Sequence, residues 1–203
     1  MQQAMWLSIT DFGDSAVGLT LAALVLVALL VSGWSRGAVA WLLAVAGCGT
    51  AMAVCKVAFR LASTTCAPVA HAVPAFSPSG HAALSTVVYG GLAVLGGRQL
   101  PMPARYLLGV CAGLWIALIA SSRIAVQAHT PVEVVTGLAV GLGAIMLMIH
   151  LLRRTEGPRM LLPQLAAASV LALALMYGSH WQVESSLQDV AAWLRGAGAA
   201  CSH

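Results

Sequence analysis

Three ionisable side chains, Arg123, His129 and Glu133, fall within one short stretch from Ser122 to Glu133, between two long apolar segments. Charges set beside hydrocarbon carry a desolvation cost, so their presence asks for a chemical reason. Arginine offers a planar fork of donors shaped for phosphate oxygens. His129 and Glu133 are four residues apart, so at a helix start the carboxylate can hold one imidazole nitrogen in its N–H form and leave the other free as a nucleophile. The same carboxylate has a second candidate role, because Thr130-Pro131-Val132-Glu133 fits a capping box with proline at the first helical position.

Two other places carry groups of the same kind. Lys56 and Arg60 are four residues apart, hence on one helical face, where an anionic ligand would relieve their repulsion; snorkelling toward an interface is the competing reading. Ser77-Pro78-Ser79-Gly80-His81 reads as a helix start in which Ser77 caps, Pro78 takes the first helical position, and the N–H groups of Ser79 and Gly80 point outward. Free donors and the helix dipole make such a terminus an anion site. Its bland alternative is an ordinary helix start with His81 as an interfacial residue. Taken together, these side chains describe a phosphate held by cations and N–H groups between two histidines. A zinc set of His129, Glu133 and His81 or His71 is also conceivable by residue type, but Lys56, Arg60 and Arg123 would repel the ion, so neither metal nor other cofactor is expected.

The elements that must position these residues are membrane helices. Of the 203 residues, 60% are hydrophobic and 8% charged, a balance that a water-soluble domain of this size would not tolerate. Six apolar segments, near 16–32, 37–58, 79–96, 104–121, 131–152 and 160–178, are each about long enough for a hydrocarbon core that needs roughly 20 helical residues. Single runs of this length are helices, since the alternation of barrel strands is absent. The expected fold is all-α: a polytopic six-transmembrane-helix bundle over 1–178, followed by a polar tail, 179–203, whose Val183, Leu187, Val190 and Leu194 suit an amphipathic surface helix.

Basic residues set the expected orientation. Arg36, Arg98, Arg105, Arg153, Arg154 and Arg159 fall on one side of such a bundle, against Arg195 and the candidate-site cations on the other. Both termini and the site are therefore expected outside the cytoplasm, in the periplasm if the membrane is a bacterial inner membrane. No cleavable signal peptide is expected, because residues 1–15 lack a basic start and contain Asp11 and Asp14. Among the five cysteines there is no C-x-x-C spacing; Cys66 and Cys201 would share the oxidising side, which allows a disulfide between them.

Alternation of helices brings Lys56, Arg60, His81, Arg123, His129 and Glu133 to the same membrane face. Their order, Lys, then Pro-Ser-Gly-His, then Ser-Arg-x5-His-x3-acid, resembles the three-part signature of the type 2 phosphatidic acid phosphatase (PAP2) family, also called the lipid phosphate phosphatase family. The likeness covers residues 56–133 by motif. Glu133 stands where that family usually has Asp, and Ser63 stands seven residues after Lys56 where it has Arg, leaving Arg60 as the nearest substitute. The resemblance implies a metal-independent phosphatase acting on a lipid phosphate or a polyprenyl diphosphate such as undecaprenyl diphosphate. By that resemblance His129, oriented by Glu133, forms a phosphohistidine and His81 protonates the leaving oxygen, while Lys56, Arg60, Arg123, Ser79 and Gly80 hold the phosphate. The expected partner is a lipid in the bilayer and not a nucleic acid. Phosphotransfer to another lipid, or lipid-phosphate binding without turnover, are the alternatives.

Overall fold

The structure, a computed structural model, describes residues 2–62, 76–158, 161–179 and 193; the side chains of residues 2 and 60–62 lie outside that description. The Arg60 side chain, the Cys66–Cys201 pair, Arg159, Arg195 and nearly all of the tail fall outside it too.

Every regular element described is helical. In chain order these are α1 (Gln2–Asp11), α2 (Ser15–Val31), α3 (Ser35–Ala62), α4 (Gly80–Ser85), a π-helical turn (Thr86–Gly90), α5 (Gly91–Gly97), α6 (Met102–Ala125), α7 (Pro131–Leu152) and α8 (Leu161–Met176). Four stretches are long and apolar enough to cross a membrane: Gln3–Val31, Ser35–Phe59, Met102–Ala125 and Pro131–Leu152. Large apolar side chains on them, such as Val27, Val39, Val110, Leu114, Leu142 and Met146, face outward. Lipid is the solvent that tolerates such a surface, and the chain is an integral membrane protein. Helix α8 is apolar but shorter.

Two local features depart from the sequence reading. The first apolar segment is preceded by α1, which turns into α2 through Phe12–Asp14. The third is one helical run broken by the π turn. Ser85 and Thr86 donate their hydroxyl protons back to the carbonyls of His81 and Ala82, at 2.5 and 2.6 Å, at the point where the ladder changes register.

Around these helices the core forms by contact of α2 with α8, and of α3 and α4 with α7. Trp41 is fully buried and its indole N–H donates to the carbonyl of Ala22 at 2.9 Å, fastening α3 to α2. Leu21, Leu29, Leu95, Met148, Leu152 and Leu161 pack with it. Above that core, α4 lies against α7 along Gly137 and Gly141. A Cβ at Gly137 would sit 2.3 Å from the Ser79 carbonyl oxygen, and one at Gly141 would sit 2.7 Å from that of Ala83. Close backbone approach of this kind is how small residues join helices in a membrane. Gly137→Ala is therefore expected to destabilise the protein by about 1–3 kcal/mol, measurable as a lower Tm in detergent, and to displace the start of α4 with it.

Candidate active site

The start of α4 is fixed by α7. Ser79, rather than Ser77, is the N-cap: its hydroxyl accepts from the N–H of Ala82 at 3.4 Å. The chain before it stays extended because the N–H of Ser77 donates to Glu133 Oε1 at 2.7 Å and that of Ser79 donates to the Glu133 carbonyl at 3.0 Å. Pro78 consequently precedes the cap instead of opening the helix. The Ser79 N–H, expected from the sequence to face an anion, thus donates to the Glu133 carbonyl instead. Gly80 and His81 are the first-turn residues whose N–H groups have no acceptor within the helix.

The spacing between Arg123 and His129 also has a local cause. At the end of α6, the carbonyl of Arg123 accepts from the N–H groups of Ala128 and His129, at 3.0 and 3.2 Å. Gln127, at φ 56°, makes the left-handed turn between them. Thr130 then caps α7, with Pro131 in the first turn and Glu133 completing a capping box. The capping box and a contact with His129 coexist on Glu133. Oε2 accepts from the N–H of Thr130 at 2.9 Å and from its hydroxyl at 3.1 Å, and lies 3.4 Å from His129 Nδ1.

These turns surround one cavity of about 600 Å³ lined by Lys56, Ser77, Gly80, His81, Arg123, His129 and Glu133. Its remaining wall is mostly apolar, including Leu19, Met52, Ala53, Ala83 and Leu84. Lys56 is buried, with its ammonium facing Gly80: a Cβ there would lie 3.9 Å from Nζ. Of the candidate residues, Lys56, Gly80, His81, Arg123, His129 and Glu133 are thus brought together. Ser79 stands behind them as a buried cap, and Arg60 cannot be placed because its side chain is outside the described residues.

Electrostatics prepare His129 in particular. Burial lowers its pKa from the ordinary imidazole value, and the neighbouring Arg123 and Lys56 lower it further, outweighing the carboxylate of Glu133. With Nδ1 against Glu133, the neutral ring would keep its proton there and turn the Nε2 lone pair outward.

One acidic residue at the site was not among the expectations. Asp14 is buried, caps α2 by accepting from the N–H of Ala16 at 2.8 Å, and brings Oδ2 to 3.7 Å from His81 Nε2. Its only sequence signal, an Asp before an apolar run, reads as a helix cap and gives no hint of the histidine.

No curated protein and no solved structure matches the chain significantly. The family comparison, in contrast, spans the elements just described: residues 37–157, from α3 through α7 and just beyond, match the PAP2 superfamily. With both cations, the two histidines and Glu133 inside that span, the chain belongs to the PAP2 superfamily.

Proposed function

We propose that this protein is a membrane lipid phosphatase that works through a phosphohistidine on His129. The observation that carries the reading is the composition of one cavity: two cations, two histidines and a carboxylate at the polar part, and an apolar wall beside them. A phosphate with a hydrocarbon tail fits both halves. PAP2 membership implies lipid phosphate phosphatase chemistry of this type.

In the proposed sequence Lys56, Arg123 and the N–H groups of Gly80 and His81 hold the phosphoryl oxygens. His129 Nε2 attacks phosphorus, forming a P–N bond as the bond to the leaving oxygen breaks, and His81 gives that oxygen its proton. Water then attacks the phosphohistidine, His81 takes a water proton, and inorganic phosphate departs. Charge is handled throughout by side chains and backbone donors, so the reaction proceeds without a metal.

We further place the site on the outer face of a six-span bundle, with α4 to α5 and α8 as the two additional crossings. The arginine-rich opposite end supports this: Arg98, Arg105 and Arg153 line one pocket there, as expected for a cytoplasmic side. A polyprenyl diphosphate such as undecaprenyl diphosphate, presented at headgroup level, is the substrate that this orientation favours.

The test is phosphate release by purified protein in mixed micelles with excess chelator, comparing undecaprenyl diphosphate with phosphatidic acid and phosphatidylglycerophosphate. Release that survives chelator and is blocked by vanadate is expected. Activity abolished by chelator, or lipid binding with no release from any of the three, would refute the proposal.

A further inference from the structure

We propose that Asp14, on the turn between α1 and α2, is the positioning residue for His81, the carboxylate that holds this imidazole as a proton donor toward the leaving oxygen. The inference rests on the phosphatase reading above and concerns a residue outside the span that matches the family.

The geometry is that of a partly buried contact between a carboxylate and an imidazole. Asp14 Oδ2 lies 3.7 Å from His81 Nε2, and the two side chains are 10% and 22% exposed. Such contacts tighten when a substrate excludes water. Asp14 cannot readily swing away, because its Oδ1 is engaged at the start of α2. Four neighbours also fix the segment that carries it. Tyr89, in the π turn, donates its hydroxyl proton to the Phe12 carbonyl at 2.7 Å, and Arg123 donates to the Thr10 hydroxyl at 2.8 Å. Gly13 fits so tightly that a Cβ would lie 2.6 Å from Ile119 and 3.0 Å from the Ser85 hydroxyl.

Charge explains why the contact is needed. His81 shares its cavity with Lys56 and Arg123, both of which oppose a positive imidazole. Glu133 is engaged by Ser77, Thr130 and His129, which leaves Asp14 as the carboxylate in contact with His81 among the described residues. During catalysis the Asp14 carboxylate stays ionised. With Nε2 turned to Asp14, the proton moves from His81 Nδ1 to the leaving oxygen as the P–O bond breaks, and Nδ1 recovers one from the attacking water; Asp14 orients the ring and balances its charge through both steps.

Asp14→Asn separates this role from capping, since Asn caps a helix about as well as Asp. Two substrates report on the proton. A lipid phosphate monoester such as phosphatidic acid expels an alkoxide-like oxygen that needs protonation, whereas p-nitrophenyl phosphate expels a stable phenolate that does not. The ratio of kcat/KM for the lipid phosphate to kcat/KM for the nitrophenyl ester, which reports only the step in which the leaving group departs, is expected to fall about 10-fold or more in the variant, with Tm held. His81→Asn should lower the same ratio at least as far, and adding Asp14→Asn to it should change the ratio no further. An unchanged ratio in Asp14→Asn, with a lowered one in His81→Asn, overturns the role of Asp14 alone. An unchanged ratio in both overturns His81 as the donor. If Asp14→Asn melts early, Asp14→Ser, which also caps without a charge, carries the same comparison.

Discussion

His129→Ala is expected to lower kcat for phosphate release by on the order of 10⁴-fold or more, the scale on which loss of a nucleophile acts. Alanine leaves no nitrogen to receive the phosphoryl group, and water attacking in its place would lack the position that the α6–α7 turn gives the imidazole. The protein should nevertheless stay folded. The His129 ring is bonded to Glu133 alone among the described side-chain contacts, while the turn itself is held by the backbone bonds to Arg123. Stability is expected to fall by no more than about 2 kcal/mol. Vanadate should still bind, because Lys56 and Arg123 remain. Rapid quenching of the wild type with labelled substrate should trap an acid-labile, alkali-stable phosphate on the protein, and the variant should trap none. Full activity in His129→Ala would end the phosphohistidine mechanism.

Much of this site was legible because its parts are short motifs whose local geometry is dictated locally. Thr130-Pro131-Val132-Glu133 specifies a capped helix start wherever it occurs, and α7 begins at Pro131. Apolar runs in a chain with 8% charged residues leave helix as the one economical way to satisfy the backbone in hydrocarbon. Choices that depend on a distant partner were not legible. Ser77 and Ser79 flank the same proline and either can cap; what selects Ser79 is a pair of hydrogen bonds from this segment to Glu133, which lies on another helix. Asp14 obeys the same logic. Its capping of α2 is local and readable, whereas its approach to His81 depends on α2 packing against α4, where Gly18 lies against Leu84.

Glu133→Gln is expected to lower kcat by about 10²- to 10⁴-fold and to move the acid limb of the pH–rate profile to lower pH. The loss follows from how the carboxylate is used. Oε1 accepts from Ser77, Oε2 accepts twice from Thr130 and faces His129 Nδ1, so both oxygens serve only as acceptors. An amide has one acceptor oxygen and one NH₂. With NH₂ in the Oε2 position it would oppose the Thr130 N–H and favour the His129 tautomer whose proton sits on Nε2, the nitrogen required for attack. With NH₂ in the Oε1 position it would oppose the Ser77 N–H and loosen the segment leading to Gly80 and His81. The pH effect has a definite sign. His129 acts neutral, so rate is lost as pH falls through its pKa, which burial, Arg123 and Lys56 already lower and Glu133 partly restores. Removing the negative charge takes away that restoring influence, lowers the pKa again and shifts the limb down. A variant that had merely lost structure would show a lower plateau with no downward shift, and a limb that moved up would mean that a group other than His129 governs it.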